Sequence, residues 1–577
     1  MTLPLAQPAQ PPSIPDSSAG GRLPAFPGLE AQSWGRALGM TATVADLLLR
    51  RGHGDVEQTR KFLDPRLAHL TPPHQMADRA LAANRLAHAV RKQEAVAVFG
   101  DYDCDGITSA AIITEIIRAL GGSAMPFLAS RFDGGYGVSA AAVERILASG
   151  ARVLVTCDCG SSDHENLAAL RARGVDVIVI DHHLVPADPL PALAFLNPHR
   201  GECAFPYKGL ASCGLALSIG AALRAELGVA LDLRQWLDLV AIGTIADVAP
   251  LDGDNRVLVR AGLAALREAR RPGVRALLEL AKIDPGTHLT SEDVAFRLAP
   301  RLNAPGRLGA PDRALELLLA RSPEEAQALS LEIEQLSVSR RALQDRMLAE
   351  AIAEIEAQGW DNRAGLVVGR EGWNHGIVGI VAGRLAARYQ RPVVVVGFEQ
   401  SRGRGSVRGP MGSRLFDVIA ATADVLVRFG GHQAAAGLEL TLSRLDEFRE
   451  RFELACQSAA ELGPCCAVDE QTVARLAPAD EPARVLADLF RLEPCGPTNP
   501  APQLAVEGSV VSAREVRGGH LKLELDLPGG HRMAGFGVEM GARAAELKGT
   551  VVVFGRLRAD RFRGGNAVEI RVDEICA

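Results

Sequence analysis

Apolar and polar positions repeat with different periods along the chain, and the changes of period mark five stretches. Between residues 41 and 92, apolar residues recur at spacings of three and four, as in ADRALAANRLAHAV, which predicts helices. From Ala95 the rhythm changes to short unbroken apolar runs, AVAVF (95–99), RVLVT (152–156) and VDVIVI (175–180), separated by helix-like segments such as Thr108–Leu120. Strands that are apolar on both faces belong to a parallel sheet covered by helices on either side. A helical stretch from about Leu210 to Leu280 follows. Then comes a clear helix start: Ser322 can cap, Pro323 suits the first turn, and Glu325 completes a capping box. The pattern runs on to Gln358 and stops at Gly359, a helix of roughly 54 Å that can join two domains. A second α/β unit has the strands GLVVG and PVVVVGF and glycine-rich loops. The last part, with runs such as HLKLELDL and AVEIRVDEI between Gly and Pro, predicts a small antiparallel barrel. The expected domain plan is a disordered Pro-rich leader (1–40), a parallel-sheet α/β domain (41–321), a connecting helix (322–358), a smaller α/β domain (359–462) and a β-barrel (463–577).

Composition narrows the classes. At about 100–200 residues per domain, 577 residues suggest roughly three to five domains. The longest charge-free apolar run, Leu210–Leu223, falls short of the roughly 18 residues of a spanning helix, so no membrane helix is expected. The first 21 residues lack the basic start of a secretory signal, and ten scattered cysteines without a Cys-x-x-Cys pair make no disulfide framework. These features describe a soluble, cytoplasmic protein with reduced thiols. A net charge of −6 excludes a generic polyanion binder, and the 57 Arg against 6 Lys fit a GC-rich genome as well as phosphate binding. The absence of Gly-Lys, of His-Glu-x-x-His and of Gly-x-Ser-x-Gly sets aside P-loop, zincin and hydrolase-elbow chemistry.

Four acidic segments remain, three of them directly after predicted strands: Asp101-Tyr102-Asp103-Cys104-Asp105, Asp158, Asp181-His182-His183, and Asp247 in GTIAD. In open parallel sheets, ligands bind beyond the carboxyl ends of the strands, so the fold brings these segments to one edge. If the first segment is extended, its three carboxylates line one wall and repel one another unless a cation is bound. Carboxylates with imidazole suit Mn²⁺ or Mg²⁺, and the neighbouring Cys104, Cys157 and Cys159 would point the other way. Asp103, Asp105, Asp158 and Asp247 with one imidazole suffice for two ions, the arrangement that hydrolyses phosphoesters.

The motifs GDYDCDG, TCDCG, DHH and GTIAD, in this order, resemble those of the DHH phosphoesterase superfamily, and NAPGRLG (303–309) and GGHQAAAG (430–437) also match, the latter resembling the accessory DHHA1 domain. The resemblance covers about residues 45–577. It implies two ions held by Asp101, Asp103, Asp105, Asp158, His182 and Asp247, with Asp181 orienting His182, His183 facing the scissile phosphate and Arg307 steadying its charge. It further implies a 5′-phosphate pocket of Arg131, Tyr136, Ser406 and Arg408 and an OB-fold at the C-terminus, while GGHQAAAG either turns His432 to the substrate at the domain cleft or makes a tight helix–helix contact of small residues. Cys159 and Ser130 stand where the superfamily often has Asn. The implied activity is a 5′→3′ exonuclease on single-stranded DNA, working in repair and recombination beside a helicase and single-strand-binding protein. The alternatives are a phosphodiesterase for short oligonucleotides or cyclic dinucleotides, and a DNA-binding assembly factor without catalysis.

Three further readings follow from the residues. SRGRGSVRG (401–409) combines phosphate-reading Arg with Gly that lets backbone amides approach a phosphate, or forms a surface hairpin. RLRADRFR (556–563), with Phe562, forms one wall of a single-strand groove or a solvated face. His164, His199 and His375 are read as structural or surface residues.

Overall fold

A computed structural model describes residues 23–132, 135–284, 286, 288–433, 435–461, 472–560, 563–564 and 567–576. The chain divides into two compact units, one holding residues 65–470 and 493–500, the other the remaining N- and C-terminal segments.

The larger unit begins with five parallel strands, β1 (Ala95–Gly100), β2 (Ser123–Leu128), β3 (Val153–Cys157), β4 (Asp176–Ile180) and β5 (Ala194–Leu196), in the order β2-β1-β3-β4-β5. The unbroken apolar runs have the predicted cause. Val96, Val98, Val153 and Val155 pack against the helices Cys104–Ala119, Ser212–Leu227 and Leu237–Ala246 on one face. Their neighbours Ala97, Phe99 and Leu154 pack against Ala140–Ala148 and His164–Ala172 on the other.

The helix Pro323–Gln358 has its expected ends. Ser322 Oγ accepts from the Glu325 N–H at 3.1 Å, and Gly359 closes the helix in a left-handed conformation. Glu325, however, takes the N–H of Arg321 at 3.0 Å and not that of Ser322, so the capping box does not close. The helix serves two cores: Ala326, Leu329 and Ile333 join the parallel-sheet core, and Met347, Ala351 and Ile355 join the next domain. That domain has strands β6 (Leu366–Glu371), β7 (Val393–Glu399), β8 (Arg402–Arg408), β9 (Arg428–His432) and β10 (Ala435–Thr441), in the order β6-β7-β8-β10-β9.

In the smaller unit, β11 (Val473–Arg475) lies parallel to β12 (Gln503–Val516). β12, β13 (His520–Asp526), β14 (Arg532–Gly537), β15 (Thr550–Ala559) and β16 (Val568–Cys576) close a barrel, because β12 pairs with both β13 and β15.

Three boundaries differ from the sequence reading. The leader assigned to 1–40 contains a helix, Leu29–Leu38, whose Ala31, Gly35 and Leu38 form a buried stripe; residues 1–22 lie outside the described part. Residues 41–64 pack with the barrel unit and not with the parallel sheet: Asp488 accepts the Thr41 N–H at 2.7 Å and Asp480 the Thr43 N–H at 2.8 Å. Conversely, residues 493–500 of the expected barrel segment belong to the larger unit, where Glu493 accepts from the Ser291 hydroxyl at 2.8 Å and Pro497 from the Leu251 N–H at 2.9 Å. Among the described residues, no helix is long and apolar enough to cross a membrane.

Candidate active site

The carboxyl ends of β1, β3 and β4 carry Asp101, Asp158 and Asp181, and the helix Leu237–Ala246 ends at Asp247. Asp103 caps the helix Cys104–Ala119, its Oδ1 accepting from the N–H groups of Asp105 at 3.1 Å and Gly106 at 3.2 Å. The helix therefore starts four residues earlier than expected, and Asp105 sits in its first turn and not on an extended wall with Asp101 and Asp103. Gly106 makes this start possible, since a Cβ there would lie 2.5 Å from the Asp101 carbonyl. Asp105 turns towards the start of the helix Ser212–Leu227, with Oδ2 taking the Ser212 N–H at 2.7 Å and Oδ1 the Cys213 N–H at 2.9 Å.

The ligand atoms thus fall into overlapping groups: Asp101, Asp103 and Asp158; Asp105, His182 and Asp247; and Asp158 with His182 and His183. His182 Nε2 lies 3.2 Å from Asp158 Oδ1, 3.6 Å from Asp247 Oδ2 and 3.9 Å from Asp105 Oδ2. Burial and mutual repulsion push the carboxyls of Asp101, Asp105 and Asp158 above the ordinary range and that of Asp247 to about 9. Burial also lowers the proton affinity of His182. Asp101 Oδ1 and His182 Nε2 are buried without a hydrogen-bond partner. Oxygen donors that repel one another, a neutral imidazole and unsatisfied ligand atoms together fit a divalent-cation site. Cys104, Cys157 and Cys159 are buried, burial raises their thiols, and none belongs to these groups.

One expected contact runs elsewhere. Asp181 Oδ1 bonds to the ring Nδ1 of His183 at 2.7 Å, while it reaches His182 only through the backbone N–H at 2.8 Å. Adjacent residues diverge at a strand end, so only one imidazole can face a carboxylate buried behind it. Burial opposes charge on both partners, but the bond prevails, lowering Asp181 to about 2 and raising His183. The Tyr136 hydroxyl donates to the Asp158 carbonyl and lies 3.0 Å from His183 Nδ1, placing it beside the cluster.

A cleft of about 610 Å³ opens from Tyr102 and Tyr136 towards β8 and is lined by Arg131, Arg307, Arg404, Ser406 and Arg408. The period of a strand explains the last three: alternate residues of β8 share a face. Its glycines face the other way, where a Cβ at Gly403 would meet the Phe398 ring at 2.4 Å and one at Gly405 the Leu438 side chain at 2.9 Å. The RGRGSVR segment is accordingly an interior strand that presents side chains, neither a hairpin tip nor a backbone cradle. Arg131 stacks on Tyr102 at 3.9 Å, and Arg408 donates to Ser406 Oγ at 2.8 Å. Arg307 donates to the Gly376 carbonyl at 2.9 Å, and burial beside Arg131 and Arg340 lowers it to about 10. His432 pairs with Ala435 through the backbone, and its side chain lies outside the described residues, as do residues 561–562 of the RLRADRFR segment.

Three family models match in series: the DHH family N-terminal domain over residues 95–244, the DHHA1 domain over 362–458 and the RecJ OB domain over 474–574. The single-stranded-DNA-specific exonuclease RecJ of Salmonella typhimurium is 34% identical over 567 residues, covering 92% of this chain and 96% of that protein. The chain belongs to the RecJ family. The Bacillus subtilis RecJ is 36% identical over 486 residues, 82% of this chain, and the match spans 60% of that longer protein. The crystal structure of Thermus thermophilus RecJ in complex with Mn²⁺ superposes with a TM-score of 0.79 at 32% identity, covering 96% of this chain and 79% of that one.

The sequence reading missed several residues that build this RecJ-type site. Ser212 bonds to two of the carboxylates, Asn303 Oδ1 accepts the Cys104 N–H at 3.0 Å, and His375, read as structural or surface, lines the cleft. Arg404 belongs to the SRGRGSVRG reading, and its period-two spacing with Ser406 and Arg408 puts it on the cleft face. Ser212 lies in an apolar helix with no local signal.

Proposed function

We propose that this chain is a metal-dependent exonuclease that hydrolyses single-stranded DNA to mononucleotides from the 5′ end. The observation that carries this reading is the junction of the acidic cluster, through Tyr102 and Tyr136, with an arginine-lined cleft. Asp101, Asp103 and Asp158 would hold one Mn²⁺ or Mg²⁺, and Asp105, His182 and Asp247 a second, with Asp158 in reach of both sets. When bound, such a pair stabilises the attacking and leaving oxygens of a phosphoryl displacement.

The chain's own residues do the rest. Asp181 bonds to Nδ1 of His183 and raises the proton affinity of the ring, which favours an Nε2–H that can donate to the scissile phosphate. Arg307 meets charge that develops there from a buried site, where water screens it little. Arg131, Ser406 and Arg408 receive the 5′-phosphate, the stop that gives the strand its polarity. The OB-type barrel binds the single strand, a surface that a cyclic dinucleotide does not need. In the cell the enzyme works in the cytoplasm, in repair and recombination, on strands exposed by a helicase and covered by single-strand-binding protein.

The test is digestion of 5′- and 3′-labelled single strands, duplex, RNA and a cyclic dinucleotide, with Mn²⁺ or Mg²⁺ and with chelator. The 5′ label should leave first as mononucleotide, from single-stranded DNA only, and chelator should stop it. Initial loss of the 3′ label, or turnover of the cyclic dinucleotide alone, would refute the reading.

A further inference from the structure

Ser212 touches both halves of the acidic cluster. It opens the helix Ser212–Leu227 and is fully buried. Its N–H donates to Asp105, which groups with His182 and Asp247, while its hydroxyl donates to Asp158 Oδ1 at 3.1 Å. Asp158 groups in turn with Asp101 and Asp103. One residue therefore ties a carboxylate of one set to a carboxylate of the other.

The hydroxyl is not needed by the helix. The capping position belongs to Ala211, which offers no side-chain acceptor, so the Ser212 hydroxyl is spent on Asp158 alone. Asp158 needs such a restraint. It stands in a left-handed conformation (φ 64°), and its Oδ1 is the atom 3.2 Å from His182 Nε2. Asp105 is held differently, by two backbone N–H groups that no side-chain change removes.

We infer that Ser212 is a positioning residue that fixes the Asp158 carboxylate relative to Asp105, and so sets the spacing of the two cation sites. This rests on the two-ion reading above. Removing the hydroxyl leaves the Asp105 set intact and frees the Asp158 side chain to rotate. A hydrogen bond to a charged acceptor corresponds to about a tenfold to hundredfold change in affinity, borne by one ion and not the other.

The experiment is Mn²⁺ titration by calorimetry and electron paramagnetic resonance on the full chain, for the wild type, Ser212→Ala and Ser212→Thr. The wild type should bind two ions with an exchange-coupled signal. Ser212→Ala should bind two, one of them about tenfold or more weaker, with altered coupling and lower kcat at unchanged KM. Ser212→Thr, which keeps the hydroxyl, should restore most of both. Two ions with unchanged affinities and coupling in Ser212→Ala would overturn the role of Ser212 alone. A wild type that binds a single ion would overturn the two-ion reading and this inference with it.

Discussion

Asp158 stands where both sets of ligand atoms meet, so Asp158→Asn should reduce turnover by at least about a thousandfold with little change in folding. Wild-type-like rates for this variant in Mn²⁺ would contradict the shared-ligand assignment. Protons report on the same site. With its carboxyl raised to about 9, Asp247 carries a proton at neutral pH until a cation displaces it. Mn²⁺ binding should release protons and weaken as pH falls, which calorimetry in buffers of different ionisation enthalpy reads directly. The Asp181–His183 pair titrates in the opposite sense at its upper edge. Asp181, lowered to about 2, contributes stability above about pH 3.9 and loses it as pH falls through its folded value. His183, raised, contributes fully below about pH 6.5 and loses its share as pH rises through its folded value. The difference in melting temperature between metal-free wild type and Asp181→Asn should be largest between about pH 4 and 6.5. A pH-independent difference would mean the bond is not between charges. Of these residues, the sequence made the acids and both histidines legible, because each segment follows an apolar run: a strand for Asp101, Asp158 and Asp181 with its two histidines, and the helix Leu237–Ala246 for Asp247. It could not reveal which imidazole faces Asp181, a matter of side-chain direction at a strand end.

Contact between elements decides whether the cleft exists. Gly376 precedes the helix Val378–Tyr389, and a Cβ there would lie 2.2 Å from the Arg307 carbonyl. Gly376→Ala should push that loop away from the helix Ala299–Arg307 and break the Arg307–Gly376 bond. Overpacking of this kind costs about 1–3 kcal/mol, so the melting temperature should fall by a few degrees while turnover falls about tenfold or more. An unaffected rate would show that Arg307 acts without the second domain. Elements with a strong pattern were legible: the three central parallel strands β1, β3 and β4, the helix Pro323–Gln358 with its cap and closing glycine, and the barrel strands, while the flanking β2 and β5 were not. Those without one were not. The helix Leu29–Leu38 hides behind prolines, and its buried stripe includes a glycine that reads as loop. The start at Cys104 was missed because three acids at alternate positions look extended, although Asp103 is an ordinary cap.

At the scale of the whole molecule, the chain crosses between its two units more than once. Residues 493–500, aperiodic and rich in Pro, pack in the larger unit, which no hydrophobic pattern announces. Glu493→Ala would leave the buried Ser291 N–H without its carboxylate acceptor, while the Ser291 hydroxyl keeps the Cys495 carbonyl, at a cost of about 1–3 kcal/mol that should appear as a melting temperature lower by a few degrees. A chain ending at Glu461 should likewise be less stable. If it folds, it should still hydrolyse very short oligonucleotides while binding long strands weakly, and unchanged affinity for a long strand would assign the barrel another task. The arginine cleft joins the cluster to the end of the strand, and the ratio of kcat/KM for 5′-phosphorylated over 5′-hydroxyl single strands tests this link. Two Arg–phosphate contacts of about 1.5–3 kcal/mol each sum to about 3–6 kcal/mol and favour the phosphate by about a hundredfold to ten-thousandfold. Arg408→Ala should shrink that ratio with Mn²⁺ affinity unchanged, and Arg408→Lys should restore it only in part, because an ammonium lacks the planar fork. A wild type indifferent to its 5′ group, or an Arg408→Ala variant with the ratio intact, would contradict the account.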